Sequence, residues 1–232
     1  MQPIDIYKIL FKKYGKQNWW PVDKRYHKKN ESDIRFEIII GAILTQNTTW
    51  SNVEKAIINI KKNYMLDIEN IIDADFDSLK EIIKPSGFFN QKAKRLLIIS
   101  NYLKNNFNSN LDKFFNRGIK LIRNELLSLN GIGPETADSI LLYAGNKPVF
   151  VVDAYTKRLC ERISLKTKLS YDDIQIFFEK DLNKNFKAEE IVNVYNEFHA
   201  LIVKLAKNNC KKKPNCDNCP LSKNCNFYKN LF

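Results

Sequence analysis

Leu129-Asn130-Gly131-Ile132-Gly133-Pro134-Glu135-Thr136-Ala137-Asp138, followed after a short gap by Val151-Val152-Asp153, is the stretch on which the reading of this chain turns. Two glycines bracket one apolar residue, so the backbone there tolerates a positive φ and lets another backbone or an anion approach closely. Pro134 suits the first turn of a following helix, where its missing amide hydrogen costs little, and the remaining amides of that turn point towards an incoming anion. Leu126, Leu127 and Leu129 supply the arm before the turn. The stretch predicts two helices joined by a hairpin that grips phosphate through its backbone, although an ordinary αα-hairpin uses the same Gly-x-Gly pattern. Asp153 follows the apolar run Val149-Phe150-Val151-Val152. It reads either as a catalytic carboxylate or as the N-cap of a helix starting at Ala154.

Outward from the hairpin, apolar residues recur at helical spacing, and only seven glycines and seven prolines punctuate 232 residues. An all-α fold is expected, with no strong alternating strand. Ile191, Val194, Tyr195, Phe198, Leu201, Ile202 and Leu205 trace one helical stripe, and Asp33 is placed to cap a helix running through Phe36 to Leu44. Further helical windows run over about 49–63, 76–83, 91–106, 119–128, 136–143 and 153–163. Lys84-Pro85-Ser86-Gly87 and Gly145-Asn146-Lys147-Pro148 read as turns. The expected partition is a six-helix barrel-type domain at 31–145, a second helical lobe from 1–30 plus 146–209, and a cysteine loop at 210–225, with a ligand cleft between the lobes.

The balance of 38 Lys and Arg over 26 Asp and Glu gives a net charge of +12, which suits a polyanionic partner. A solvated basic surface on a chain rich in Ile, Lys and Asn is the plainer explanation. No basic segment leads into a long apolar core, and no run approaches the roughly 18 apolar residues of a membrane span, so a cytoplasmic protein without a membrane partner is expected. Five cysteines form an odd set, and Cys210, Cys216, Cys219 and Cys225 crowd into sixteen residues as C-x5-C-x2-C-x5-C. That favours a metal clip over a disulfide scaffold and leaves Cys160 as a buried small hydrophobe.

Leu-x-Gly-Ile-Gly with Glu-Thr-Ala-Asp and then Val-Val-Asp resembles the helix-hairpin-helix DNA glycosylase superfamily, the group that includes endonuclease III. The likeness extends to Gly41-Ala42-Ile43-Leu44-Thr45-Gln46-Asn47-Thr48, to Ser86-Gly87-Phe88-Phe89-Asn90-Gln91-Lys92-Ala93 and to the cysteine tail, roughly 36–225. The segment from Pro85 to Leu96 and the early Trp19-Trp20-Pro21 look most like the bacterial 3-methyladenine DNA glycosylases of the endonuclease III type. The resemblance implies two helical lobes with a DNA-binding cleft and a monomer acting on double-stranded DNA that carries a damaged base.

By the same resemblance, Asp153 matches the catalytic aspartate. Trp19, Trp20 and Phe36 match the aromatic faces of a pocket for a flipped base. Gln46 and Phe88 match two wedges pushed into the vacated stack, and Gly131, Gly133, Glu135 and Thr136 stand in the DNA-gripping hairpin. The four cysteines match the ligands of a C-terminal [4Fe-4S] cluster, one residue short in the first gap, with Zn²⁺ as the alternative for a four-thiolate site. Lys211-Lys212-Lys213 within that loop is placed for phosphates.

Two departures matter. Bifunctional members carry a lysine nucleophile two residues after the second hairpin glycine, where this chain has Glu135, and a carboxylate cannot form the imine. A monofunctional glycosylase that leaves an abasic site is therefore implied. The alternatives are a bifunctional endonuclease III-type enzyme with abasic-lyase activity on oxidised or mismatched pyrimidines, or a non-catalytic DNA-binding module. In addition, Leu201 stands where the nearest relatives have a lysine two residues after the Phe-His pair, leaving the choice among alkylated bases open. His199 itself reads as an ordinary helix histidine. Lys92, Lys94 and Arg95 read as phosphate contacts or as a solvated helix face.

Overall fold

Short polar side chains set where the helices start. Asp23, Asp33, Asp67, Asp75, Asn110, Asp153 and Ser170 each turn an oxygen onto the amides of a first helical turn, a contact worth about 1 kcal/mol apiece. The computed structural model describes residues 1–230. In chain order its helices are α1 (Pro3–Tyr14), α2 (Lys24–Asn30), α3 (Ile34–Leu44), α4 (Trp50–Lys62), α5 (Ile68–Asp73), α6 (Phe76–Ile83) and α7 (Phe89–Phe107). They continue as α8 (Leu111–Phe115), α9 (Ile119–Ser128), α10 (Pro134–Ser139), α11 (Ala154–Ile163), α12 (Tyr171–Asn185), α13 (Ala188–Asn208) and α14 (Asn226–Lys229). No strand occurs among the described residues, so the fold is all-α as the periodicity predicts. None of the described helices is long and apolar enough to cross a membrane.

The chain divides into two compact units. One is Trp20–Lys147, built around α3. Every residue of α3 from Phe36 to Leu44 is buried, as befits a helix apolar all round, and it packs on α4, α7, α10 and the π-helical turn Ile140–Ala144 that continues α10. Residues 20–30, expected in the other lobe, belong to this unit. Trp20 packs edge-on against Trp50 and tilted against Tyr143. His27 on α2 reaches Glu37 at 2.5 Å, and Lys61 on α4 meets the same carboxylate at 2.9 Å. Both His27 and Glu37 are buried, and the shared bonds compensate that burial.

The other unit joins Met1–Trp19 to Pro148 onward. Here α1 packs on α12 and α13, and α11 packs on α12, α13 and α14. Its centre is aromatic: Phe150 stacks on Phe178, and Tyr195 and Phe198 approach Phe150 edge-on or tilted. The whole stripe predicted on α13 is buried. Cys160 is buried too, and that burial pushes its thiol up to about 12, making it an inert core residue.

Candidate nucleic-acid interface and active site

The hairpin joins α9 to α10 within the first unit. Gly131 sits at φ +84°, and a Cβ added there would lie 2.1 Å from Arg95 Nε. Its missing side chain therefore makes the turn and also makes room for Arg95. Gly133 differs: it is the extended N-cap of α10, with open space where a Cβ would be. That leaves the first turn of α10, opened by Pro134, approachable by an anion. Glu135 is exposed in this turn, while Thr136 and Asp138 are buried. Arg123 on α9 grips Asp138 with two bonds of 2.7 and 3.1 Å, fixing the angle between the two arms.

Gln46, two residues beyond α3, is drawn to the hairpin. Its amide donates to Gly131 O at 3.0 Å and Thr136 Oγ1 at 2.9 Å, and its carbonyl accepts from Arg95. Phe88, the second expected wedge, is the N-cap of α7 and takes φ +47° with 61% of its surface exposed. A bulky residue held in the left-handed region with its ring in solvent is a costly arrangement. Between these loops lies Lys92, and here the sequence reading is corrected. The lysine is fully buried, and its Nζ donates to Leu44 O at 2.8 Å and Ser86 O at 2.7 Å. It is not a phosphate contact. Burial, with Arg95 nearby, pushes its amine down to about 8.

In the second unit, Asp153 ends an extended stretch that α12 holds in place. Glu179 accepts from Phe150 N at 2.8 Å, Gln175 donates to Phe150 O at 2.7 Å, and Val152 N reaches the Tyr171 hydroxyl at 3.4 Å. These three side chains supply bonds that a sheet neighbour would otherwise give. Asp153 caps α11, with Oδ1 accepting from Thr156 N at 2.7 Å and Thr156 Oγ1 at 2.8 Å. Its Oδ2 lies 3.5 Å from His199 Nε2. The group is 7% exposed. Burial pushes its carboxyl up, but His199 and the Thr156 amide and hydroxyl outweigh it and hold the group below the ordinary carboxylate value. The cap and the charged carboxylate are thus one residue in one conformation. Sequence reasoning missed His199 as the partner of Asp153; it sits on α13 among apolar neighbours, and no local pattern links it to residue 153.

The aromatic trio divides. Trp19 lines an open recess of about 400 Å³ with Asn18, Asn193, Asn196 and Glu197. Glu197 anchors the segment before it, accepting from Gln17 N at 2.6 Å and Asn18 N at 2.9 Å. Trp20 lies over Gly41 in the other unit, where a Cβ would come within 2.6 Å of its ring. Phe36, at 2% exposure, is a core residue of that unit and presents no open ring face.

The four tail cysteines line one small hollow with Arg162, Asn209 and Pro214. Arg162 on α11 donates to Cys210 Sγ at 3.1 Å, Lys211 O at 2.7 Å and Lys212 O at 3.0 Å, and Arg158 donates to Cys210 O at 2.9 Å. Burial raises the Cys219 thiol to about 11, with its three neighbouring cysteines adding to the shift. Among the described residues no three His, Cys, Asp or Glu side chains converge to hold one metal ion.

Against known proteins, residues 40–184 match the family described as HhH-GPD superfamily base excision DNA repair protein. The Methanocaldococcus jannaschii protein MJ1434, named as a candidate DNA repair glycosylase, is 46% identical over 215 residues, 92% of this chain and 90% of that one. Endonuclease III of Thermotoga maritima is 27% identical over 208 residues, 89% of each chain. The solved H. pylori 3-methyladenine DNA glycosylase bound to 1,N6-ethenoadenine superposes with a TM-score of 0.76 at 32% identity, covering 89% of this chain and 98% of its own.

Proposed function

Because the chain belongs to the HhH-GPD superfamily of base excision DNA repair proteins, we propose that it removes an alkylated base from duplex DNA by hydrolysis, leaving an abasic site in an uncut strand. The observation that carries this reading is the pairing of a buried, ionised Asp153 with Glu135 in place of a hairpin lysine. As the N-glycosidic bond breaks, positive charge builds on the sugar, and a fixed carboxylate stabilises it or takes a proton from the attacking water. His199 and Thr156 keep that carboxylate charged and aimed. A base alkylated on a ring nitrogen leaves as a neutral molecule, so a general acid is not required. Glu135 offers no amine to trap the sugar as an imine. The likeness to the 3-methyladenine enzyme supports alkylated purines as the substrate class.

The remaining residues take roles consistent with this chemistry. Gly133 and the first turn of α10 meet phosphates, Gln46 and Phe88 fill the gap left by the flipped nucleotide, and Trp19, beside its recess, offers an aromatic face to the base. Cys210, Cys216, Cys219 and Cys225 would hold a [4Fe-4S] cluster, which takes one thiolate per iron and does not need four sulfurs converging on a single ion. When bound, that cluster would offset part of the charge of the four thiolates and rigidify the lysine-bearing loop. The endonuclease III relatives favour a second reading, in which oxidised pyrimidines are excised with strand cleavage.

One assay separates the readings. Duplexes bearing 3-methyladenine, 7-methylguanine, uracil or thymine glycol are incubated with the protein and scored with and without alkali. The proposal expects strand breaks at an alkylated purine only after alkali. Breaks without alkali, or a borohydride-trapped covalent adduct, establish the lyase; no abasic sites on any duplex leave a non-catalytic binder.

A further inference from the structure

The buried ammonium of Lys92 donates to two backbone carbonyls, Leu44 O at 2.8 Å and Ser86 O at 2.7 Å. Neither carbonyl is arbitrary. Leu44 is the last residue of α3, where carbonyls lack intrahelical partners, and Gln46 follows two residues later. Ser86 precedes Gly87 at φ +68°, and Phe88 likewise follows two residues later. One ammonium thus joins the two loops at matching points upstream of the two side chains. Lys92 also stands in the first turn of α7, where the helix dipole disfavours a cation. An apolar side chain of the same length would fill the site without that penalty. One turn on, Arg95 holds the Gln46 amide from the same helix.

We infer that Lys92 is a positioning residue for base flipping: it fixes the separation of the Gln46 and Phe88 loops so that both side chains enter a duplex in register. This rests on reading the chain as a base-flipping glycosylase, and the test keeps the two apart. The full chain is mixed with a duplex carrying a tetrahydrofuran abasic analogue opposite 2-aminopurine, whose fluorescence rises when the opposite base is unstacked. In Lys92→Met and Lys92→Gln, neither of which can reach both carbonyls with a charged head, the rise falls about fivefold, while affinity for undamaged duplex stays within about twofold because phosphate contacts are untouched. Added to a Gln46→Ala, Phe88→Ala background, either substitution has no further effect.

An unchanged fluorescence rise in a folded Lys92 variant overturns the inference, as does an effect that adds in full to the wedge-less background. Folding is checked by far-ultraviolet circular dichroism. If neither variant folds, Lys92 serves the whole unit rather than the two loops, and the inference is again overturned. Should the Gln46→Ala, Phe88→Ala protein itself give the unmodified protein's signal, the base-flipping reading is what fails.

Discussion

Single residues carry unequal loads in the hairpin, and the two glycines show it. Gly131 combines φ +84° with an arginine packed where a Cβ would stand, whereas Gly133 has ordinary backbone and open space. Gly131→Ala is expected to cost about 1–3 kcal/mol in urea denaturation, while Gly133→Ala leaves stability within about 0.5 kcal/mol and weakens binding to duplex DNA. Lys92 gives a pH signature. Its amine is pushed down to about 8 from the 10.5 of an unperturbed lysine. Between those values the unfolded chain binds the extra proton, so the stability linked to Lys92 is lowest below the folded value and rises as pH climbs towards the unfolded one. The stability of the unmodified protein relative to Lys92→Met should therefore increase over that window in denaturation curves at stepped pH. A flat difference would contradict the burial of a titrating amine.

At the scale of elements, what the sequence makes legible is what local chemistry decides. The Gly-x-Gly-Pro turn, the Asp33 cap, the helix over Phe76–Ile83 and the stripe on α13 all emerge where expected, because caps and periodicity are written in neighbouring residues. The helices α1 and α12 are less visible. α12 buries only Ile174, Phe178 and Leu182, one residue per turn, so its stripe is thin. Its work on the 148–153 stretch is done by polar side chains that no periodicity marks. Lys92 was hidden by a charge run, yet Lys92, Leu96, Ile99 and Leu103 fall at core spacing, which is the signal that places it inside. The tie between the hairpin arms is equally silent in sequence, since Arg123 and Asp138 are fifteen residues apart. Asp138 is fully buried, so Arg123→Met removes two charge-assisted bonds from a buried carboxylate. A loss of about 3 kcal/mol is expected by chemical denaturation, and a loss under about 0.5 kcal/mol would mean the pair behaves as a surface contact.

For the molecule as a whole, the candidate residues are spread over two units of one chain: the hairpin, Gln46 and Phe88 in Trp20–Lys147, Asp153 and the cysteine loop in the other. The residues that match the family, 40–184, run through both units. The cysteine loop is tied to α11 by Arg158 and Arg162, and α11 begins at Asp153. Cys219→Ser is expected to abolish the visible absorption of an iron-sulfur cluster and to loosen this loop, read as faster proteolysis after Lys211, Lys212 or Lys213. A colourless protein reconstituting only with Zn²⁺ would assign the four thiolates differently. The role proposed for Asp153 is hydrolytic base excision. Its most direct test is single-turnover release of 3-methyladenine from a duplex by Asp153→Asn beside the unmodified protein. That role requires a fall in rate of at least about a hundredfold with duplex affinity retained. An asparagine variant that releases the base at the original rate would contradict it.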